Sequence, residues 1–140
     1  MYLRLSTLAA VTGAVLLAAS SIAPAQKEAY SPKASEKLSK ALAGRSPGQP
    51  VSCISNLRSG AKMQVIDDYT ILFREAGTVY VQKPRGGCYG LGNGSNSLVT
   101  RLNVSTRLCS GQIADLVDRV THNTYGSCVF SEFVPYRKTG

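Results

Sequence analysis

Histidine occurs once in this 140-residue chain, at position 122, and none of the four cysteines forms a C-x-x-C pair. Structural zinc sites bring their ligands as close pairs, so the wide spacing of Cys53, Cys88, Cys109 and Cys128 argues against zinc. It also removes a thioredoxin-like redox motif. A nucleophilic cysteine would need a base, and His122 is the only histidine on offer. Acidic residues are scarce too, eight against sixteen Lys and Arg, for a net charge of +8. The basic residues are dispersed: Lys62, Arg74, Lys83, Arg85, Arg101, Arg107 and Arg119 never form a run, and Arg137-Lys138 is an isolated pair. No zinc finger, RNP-like motif or basic helix is present, which excludes a recognisable specific nucleic-acid reader. Beyond the N-terminus no apolar run is long enough to span a membrane.

What is present begins with "MYLRLSTLAAVTGAVLLAASSIAPAQ". One basic residue, Arg4, precedes an apolar stretch from Leu5 to Ile22, and Ala23-Pro24-Ala25 supplies small residues for signal peptidase. The expectation is a signal peptide over residues 1–25, cut before Gln26, and a periplasmic or secreted product. Loss of those 25 residues with Arg4 takes the chain from 140 residues and +8 to 115 residues and +7. A core of that size is marginal, and cross-links would help it.

Residues 26–50 read as a leader. Ser31 is a candidate N-cap, Pro32 stands at the first helical position, Leu38 and Leu42 share a face, and Gly44 is a stop. A short helix is expected, followed by the breaker "RSPGQP". From Val51 the period changes to two. "KMQVID", "YTILFRE", "TVYVQK" and "LVTRLN" are short, β-branched and aromatic, with turn signals at Asp67-Asp68 and Ala76-Gly77. In residues 112–120, Ile113, Leu116, Val117 and Val120 have helical spacing. The short length and β-branched content favour a strand after a tight turn at Ser110-Gly111. "PRGGCYGLGNGSNS" reads as a flexible surface loop, and "SCVFSEFVPY" as a last strand closed by Pro135.

The fold class expected is all-β: an antiparallel open sheet or barrel-like domain of about six strands over residues 51–137, behind a short helix or flexible leader. An exported chain with an even cysteine count oxidises its thiols in pairs. Four cysteines allow three connectivities. Tying the first strand to the last favours Cys53–Cys128, which leaves Cys88–Cys109 to clamp the glycine-rich loop.

Candidate chemistry is thin. His122 lies in a polar turn, "THNTYG". Asp67 and Asp68 would point to opposite faces of a strand, so a turn with side-chain-to-backbone hydrogen bonds accounts for them better than an acid/base pair. Asp115 and Asp118 flank Leu116-Val117, at a strand end or facing solvent, and nothing marks them as catalytic. "GLGNGSNS" lacks the Walker lysine and the dinucleotide-loop spacing. Asn93-Gly-Ser and Asn103-Val-Ser match the glycosylation acceptor pattern. No catalytic residue, cofactor or metal ligand is assigned.

Taken in order, "AGRSPGQPVSCI", "LRSG", "DDYTILFR", "TVYVQKPRGGC", "LVTR", "LCSGQIADLVD" and "SCVFSEFVPY" resemble a family of small exported proteobacterial proteins classed as a domain of unknown function. The resemblance spans residues 43–137 and implies a periplasmic or secreted domain with its cysteines and "FVPY" in this order. It implies no activity. The functional expectation is therefore a non-catalytic envelope module that binds an anionic envelope component or another envelope protein. The alternatives are a hydrolase with an unrecognised site and an inhibitor of a secreted enzyme. Lysozymes are commonly basic and would repel a chain of this charge, which weakens the inhibitor reading.

Overall fold

The structure, a computed structural model, describes residues 30–55, 62–100 and 107–140. The expected signal peptide, the quoted "LRSG", Arg101 and Asn103 lie outside the described residues. One helix, α1 (Pro32–Leu42), precedes ten strands. They are β1 (Arg45–Pro47), β2 (Cys53–Ser55), β3 (Lys62–Asp67), β4 (Thr70–Glu75), β5 (Thr78–Gln82), β6 (Asn96–Thr100), β7 (Arg107–Cys109), β8 (Ile113–Asp118), β9 (Thr124–Val129) and β10 (Phe133–Lys138). All pairings are antiparallel. They build a five-stranded sheet ordered β1-β10-β5-β4-β3, a two-stranded sheet β2-β7 and a three-stranded sheet β6-β8-β9.

Helix α1 starts where capping chemistry dictates. The Ser31 hydroxyl accepts the Ala34 N–H at 3.2 Å, Pro32 occupies the first turn, and Gly44 follows the end at φ 65°. Ala34 and Ala41 are buried, and Leu38 and Leu42 pack with them against Ile66, Leu72, Val79 and Val81 of the large sheet. Residues 30–50 supply a helical layer and the edge strand β1.

The opposite face of the large sheet carries the main core. Ile71, Phe73 and Phe133 meet Leu108, Ala114, Leu116 and Cys128 from the two smaller sheets and Phe130 from the segment after β9. Strand β4 is therefore covered on both sides, and Thr70 to Phe73 are buried. The β4–β5 hairpin closes on Ala76 and Gly77, both at positive φ (45° and 81°), the twist that two-residue hairpins prefer.

Four strands escaped the count of six. Strand β9 reads as a polar run because Thr124 to Ser127 are exposed along an edge. The expected single strand "SCVFSEFVPY" splits into β9 and β10, and Pro135 lies inside β10, opposite Tyr80. Its carbonyl accepts the Gly48 N–H at 2.7 Å, and a residue in an antiparallel ladder points its N and O to the same side. The donor that proline lacks therefore falls opposite the detour between β1 and the Val51–Phe133 bridge. Residues 113–118 form a strand, as expected. Ala114 and Leu116 point inward, while Ile113 stays exposed.

Two disulfides form, with a connectivity other than the one expected. Cys53 bonds Cys109 and Cys88 bonds Cys128. The expected Cys53–Cys128 and Cys88–Cys109 pairs fail because register outranks the closure of chain ends. Cys53 faces Cys109 directly in the β2–β7 ladder, and Cys128 points from β9 into the core, where Cys88 lies. The two bonds differ in access: Cys53 and Cys109 are half-buried, Cys88 and Cys128 buried. Thiolate exchange needs access to a sulfur. Under limiting dithiothreitol, alkylation and peptide mapping should find Cys53 and Cys109 labelled first. Earlier labelling of Cys88 or Cys128 would contradict the packing of that loop.

That loop is pinned and not the flexible surface segment expected. The Cys88 N–H donates to the Asp68 carbonyl at 2.6 Å, the Gly92 N–H donates to Asp68 Oδ1 at 2.6 Å, and Leu91 is buried in the core. Gly87 is fixed by space as well as by conformation: at φ +83°, a Cβ there would sit 2.7 Å from the Tyr69 ring.

Candidate functional site

The sequence candidates for chemistry do not converge. Asp67 Oδ1 accepts the Tyr69 N–H at 2.9 Å, the side-chain-to-backbone bond expected of a turn, while Asp68 latches the glycine-rich loop. Asp115 sits mid-strand on β8, opposite Val99 and Ser127. His122 lies in the exposed β8–β9 turn at φ 60°, and its N–H donates to the Asp118 carbonyl at 3.0 Å. Among the described residues no group of three His, Cys, Asp or Glu side chains gathers at one point.

Asp118 organises that turn. Its Oδ1 accepts the N–H groups of Thr121 and Val120 at 2.7 and 2.8 Å and the Thr121 hydroxyl at 3.1 Å. The Thr121 and then the Val120 N–H donors hold its carboxyl below the ordinary value of 3.8, with His122 adding to the effect. A lowered folded-state value stabilises the turn above the unfolded value, and this contribution is lost as pH falls through the folded one. The protection of the Val120 and Thr121 amides, relative to their intrinsic exchange rate at each pH, should therefore fall below about pH 4. Asp118→Asn should remove that pH dependence; an unchanged acid response in this variant would place its origin elsewhere.

Two grooves open on the surface, and α1 lines one of them. The first, about 420 Å³, runs between the helix and the β3–β4 turn and carries Lys33 and Lys37 opposite Asp67 and Asp68. Its carboxylates already accept backbone donors, and its charges are balanced. Tyr69 borders it, and a hydrogen bond with Tyr89 raises the Tyr69 phenol above the ordinary tyrosine range.

The second groove, about 510 Å³, is different in kind. Its floor is Val81 of β5 with Val134 and Tyr136 of β10, and Val81 and Tyr136 also belong to the cluster that α1 packs against. Its rim carries Lys83 and Arg85 from the chain leaving β5, with Glu132 as the single carboxylate. Pro50 and Ser110 come from segments next to the Cys53–Cys109 bond. The Lys83 ammonium lies 5.5 Å from the centroid of the Tyr30 ring, a cation–π distance. Ser131 braces the rim: its hydroxyl donates to the Lys83 carbonyl at 2.5 Å, and the buried Gln82 amide donates to the Ser131 carbonyl at 3.1 Å.

This groove is the candidate functional site. Lys83 and Arg85 were visible in the sequence only as two of several scattered cations. Their proximity is local, two residues apart on one segment, and the β5–β10 register adds the floor by setting Val81 opposite Val134. Ser110, Ser131, Glu132 and Val134 carried no signal of their own, although "FVPY" contains two of the three floor residues. In comparisons with known proteins, no family model, curated protein or solved structure matches the chain.

Proposed function

We propose that the protein is an exported, non-catalytic binding module and that the groove rimmed by Lys83 and Arg85 takes an anionic component of the cell envelope. The observation that carries this reading is the meeting of two cations, against one carboxylate, over an apolar floor. The +7 charge left after loss of residues 1–25 with Arg4, from +8 for the full chain, adds a long-range attraction for anionic partners. Two disulfides agree with an oxidising compartment, as does the resemblance to small exported proteobacterial proteins.

Retention on anionic envelope fragments, measured at low and high salt, tests the proposal. Exposed charges lose reach within about 8 Å at physiological ionic strength, so retention should weaken steeply as salt rises. Lys83→Glu/Arg85→Glu should reduce low-salt retention at least about tenfold, because it turns the attraction of two exposed cations into repulsion of the same anionic partner. Lys62→Glu, on the far edge strand β3, should retain binding once net charge is allowed for. Retention indifferent to both salt and charge reversal would reject the reading. A hydrolytic turnover abolished by His122→Ala would reject its non-catalytic half.

A further inference from the structure

Resting on that reading, we infer that the groove recognises an anionic amphiphile, its phosphate or carboxylate head on Lys83 and Arg85 and its hydrocarbon on Val81, Val134 and Tyr136. The division of the groove carries the argument. Both cations stand two residues apart on one segment, so the positive charge is concentrated and does not run as a track. A polyanion carries charge along its length and gains from spaced cations. Here it would also meet Glu132 in the same groove. A ligand charged at one end only avoids that penalty.

The floor points the same way. On this face of the large sheet, α1 packs against Ile66, Leu72, Val79 and Val81, with Tyr136 at the margin of that cluster and Val134 outside it. Val134 and Tyr136 remain half-buried beside buried Val81, and they form an apolar surface that a phosphate alone would leave wet. Hydrocarbon laid there removes apolar area from water. The head site is partly pre-organised. Lys83 rests on the Tyr30 ring, and Ser131 and Gln82 fix the backbone that carries it. A volume of about 510 Å³ suits one alkyl chain with its head and lies within the usual range for small-ligand sites.

Titration calorimetry of the full disulfide-bonded chain provides the test. The probes are butyl, hexyl and octyl phosphate kept below their micelle thresholds, octanoate, inorganic phosphate, and the neutral octyl glucoside. Affinity should rise about two- to fourfold per added methylene, the upper figure being full burial. Inorganic phosphate should bind at least about a hundredfold more weakly than octyl phosphate. Octanoate against octyl phosphate distinguishes a carboxylate from a phosphate source for the head. Lys83→Gln/Arg85→Gln should weaken every anionic probe while keeping the chain-length slope. Val134→Asp should flatten that slope, with the milder Val134→Ser used should the aspartate variant not fold.

Equal binding of inorganic and octyl phosphate would overturn the amphiphile inference and leave the anion-binding reading standing. So would salt-sensitive retention on envelope fragments with no alkyl phosphate bound. Loss of both overturns both. Dimerisation abolished by Val134→Asp, with no probe bound, would assign the groove to a second copy of the chain. Octyl phosphate bound equally by wild type and both variants would place the ligand elsewhere and reject the groove.

Discussion

Replacing Cys88 and Cys128 together by alanine should lower the unfolding free energy by about 4–6 kcal/mol. The 40-residue separation sets the first part. In the chain-entropy treatment, closing a loop of that length stabilises by roughly 4 kcal/mol through the unfolded state. The remainder is packing. Both sulfurs belong to the main core, beside Leu91, Leu116 and Phe130, so two truncations leave unfilled volume there. The bond also holds the glycine-rich loop on which Asp68 closes, and that loop places buried Leu91. A domain with a typical reserve of about 5–15 kcal/mol would be left close to unfolding. The Cys53→Ala/Cys109→Ala variant is the informative comparison. Its separation is longer, 56 residues, so chain entropy alone predicts a slightly larger loss, again roughly 4 kcal/mol. Both residues are half-buried and outside the core cluster, so little cavity cost is added. Guanidinium unfolding of the two variants should rank Cys88/Cys128 as the costlier pair. The reverse order would mean that chain entropy, and not packing of the loop, dominates.

The same contrast explains what could be read from the chain and what could not. Ser31, Pro32 and Gly44 specify the helix by local chemistry, and local chemistry survives in the fold. Ile71 and Phe73 alternate with Leu72 along one strand, and the alternation fixes which side each residue serves. Strand β4 departs from a half-buried pattern only because α1 covers its second face, a tertiary fact. Connectivity depended on register. Cys53, expected in a first strand, is paired with Cys109 by the ladder between β2 and the three-residue β7, which is too short to announce itself. Strand β9 hid because an exposed edge needs no apolar alternation. The groove was illegible for a related reason. Lys83 and Ser131 are joined by one hydrogen bond across 48 residues, and neither residue type in isolation marks a site. Export, by contrast, rests on a segment outside the described residues and stands on sequence pattern alone.

Phe73→Ala should cost about 3–5 kcal/mol, more than any single substitution in the groove. Phe73 is the centre of the layer between the large sheet and the smaller ones. It lies mid-strand in β4, opposite Met63 on one side and Tyr80 on the other, and is fully buried. Its ring meets Phe133 at 5.8 Å and Phe130 at 6.2 Å, both edge-to-face. Such pairs add about 0.5–1.5 kcal/mol beyond the area they bury. Strand pairing fixes the backbone around it, so the cavity cannot close by a local shift. Phe73→Leu fills most of the space but loses both edge contacts, and should cost noticeably less than alanine. A double-mutant cycle with Phe133→Leu would isolate the ring pair as a coupling of about 1 kcal/mol. Leu72→Ala, one residue away, faces α1 and should cost about 2–5 kcal/mol while loosening the helix. Amide exchange separates the two effects. Leu72→Ala should deprotect residues of α1 ahead of global unfolding, whereas Phe73→Ala should lower protection across all the sheets together. A loss under about 1.5 kcal/mol for Phe73→Ala would mean that the core collapses around the missing ring, and that Phe130 and Phe133 are not held by the packing seen here.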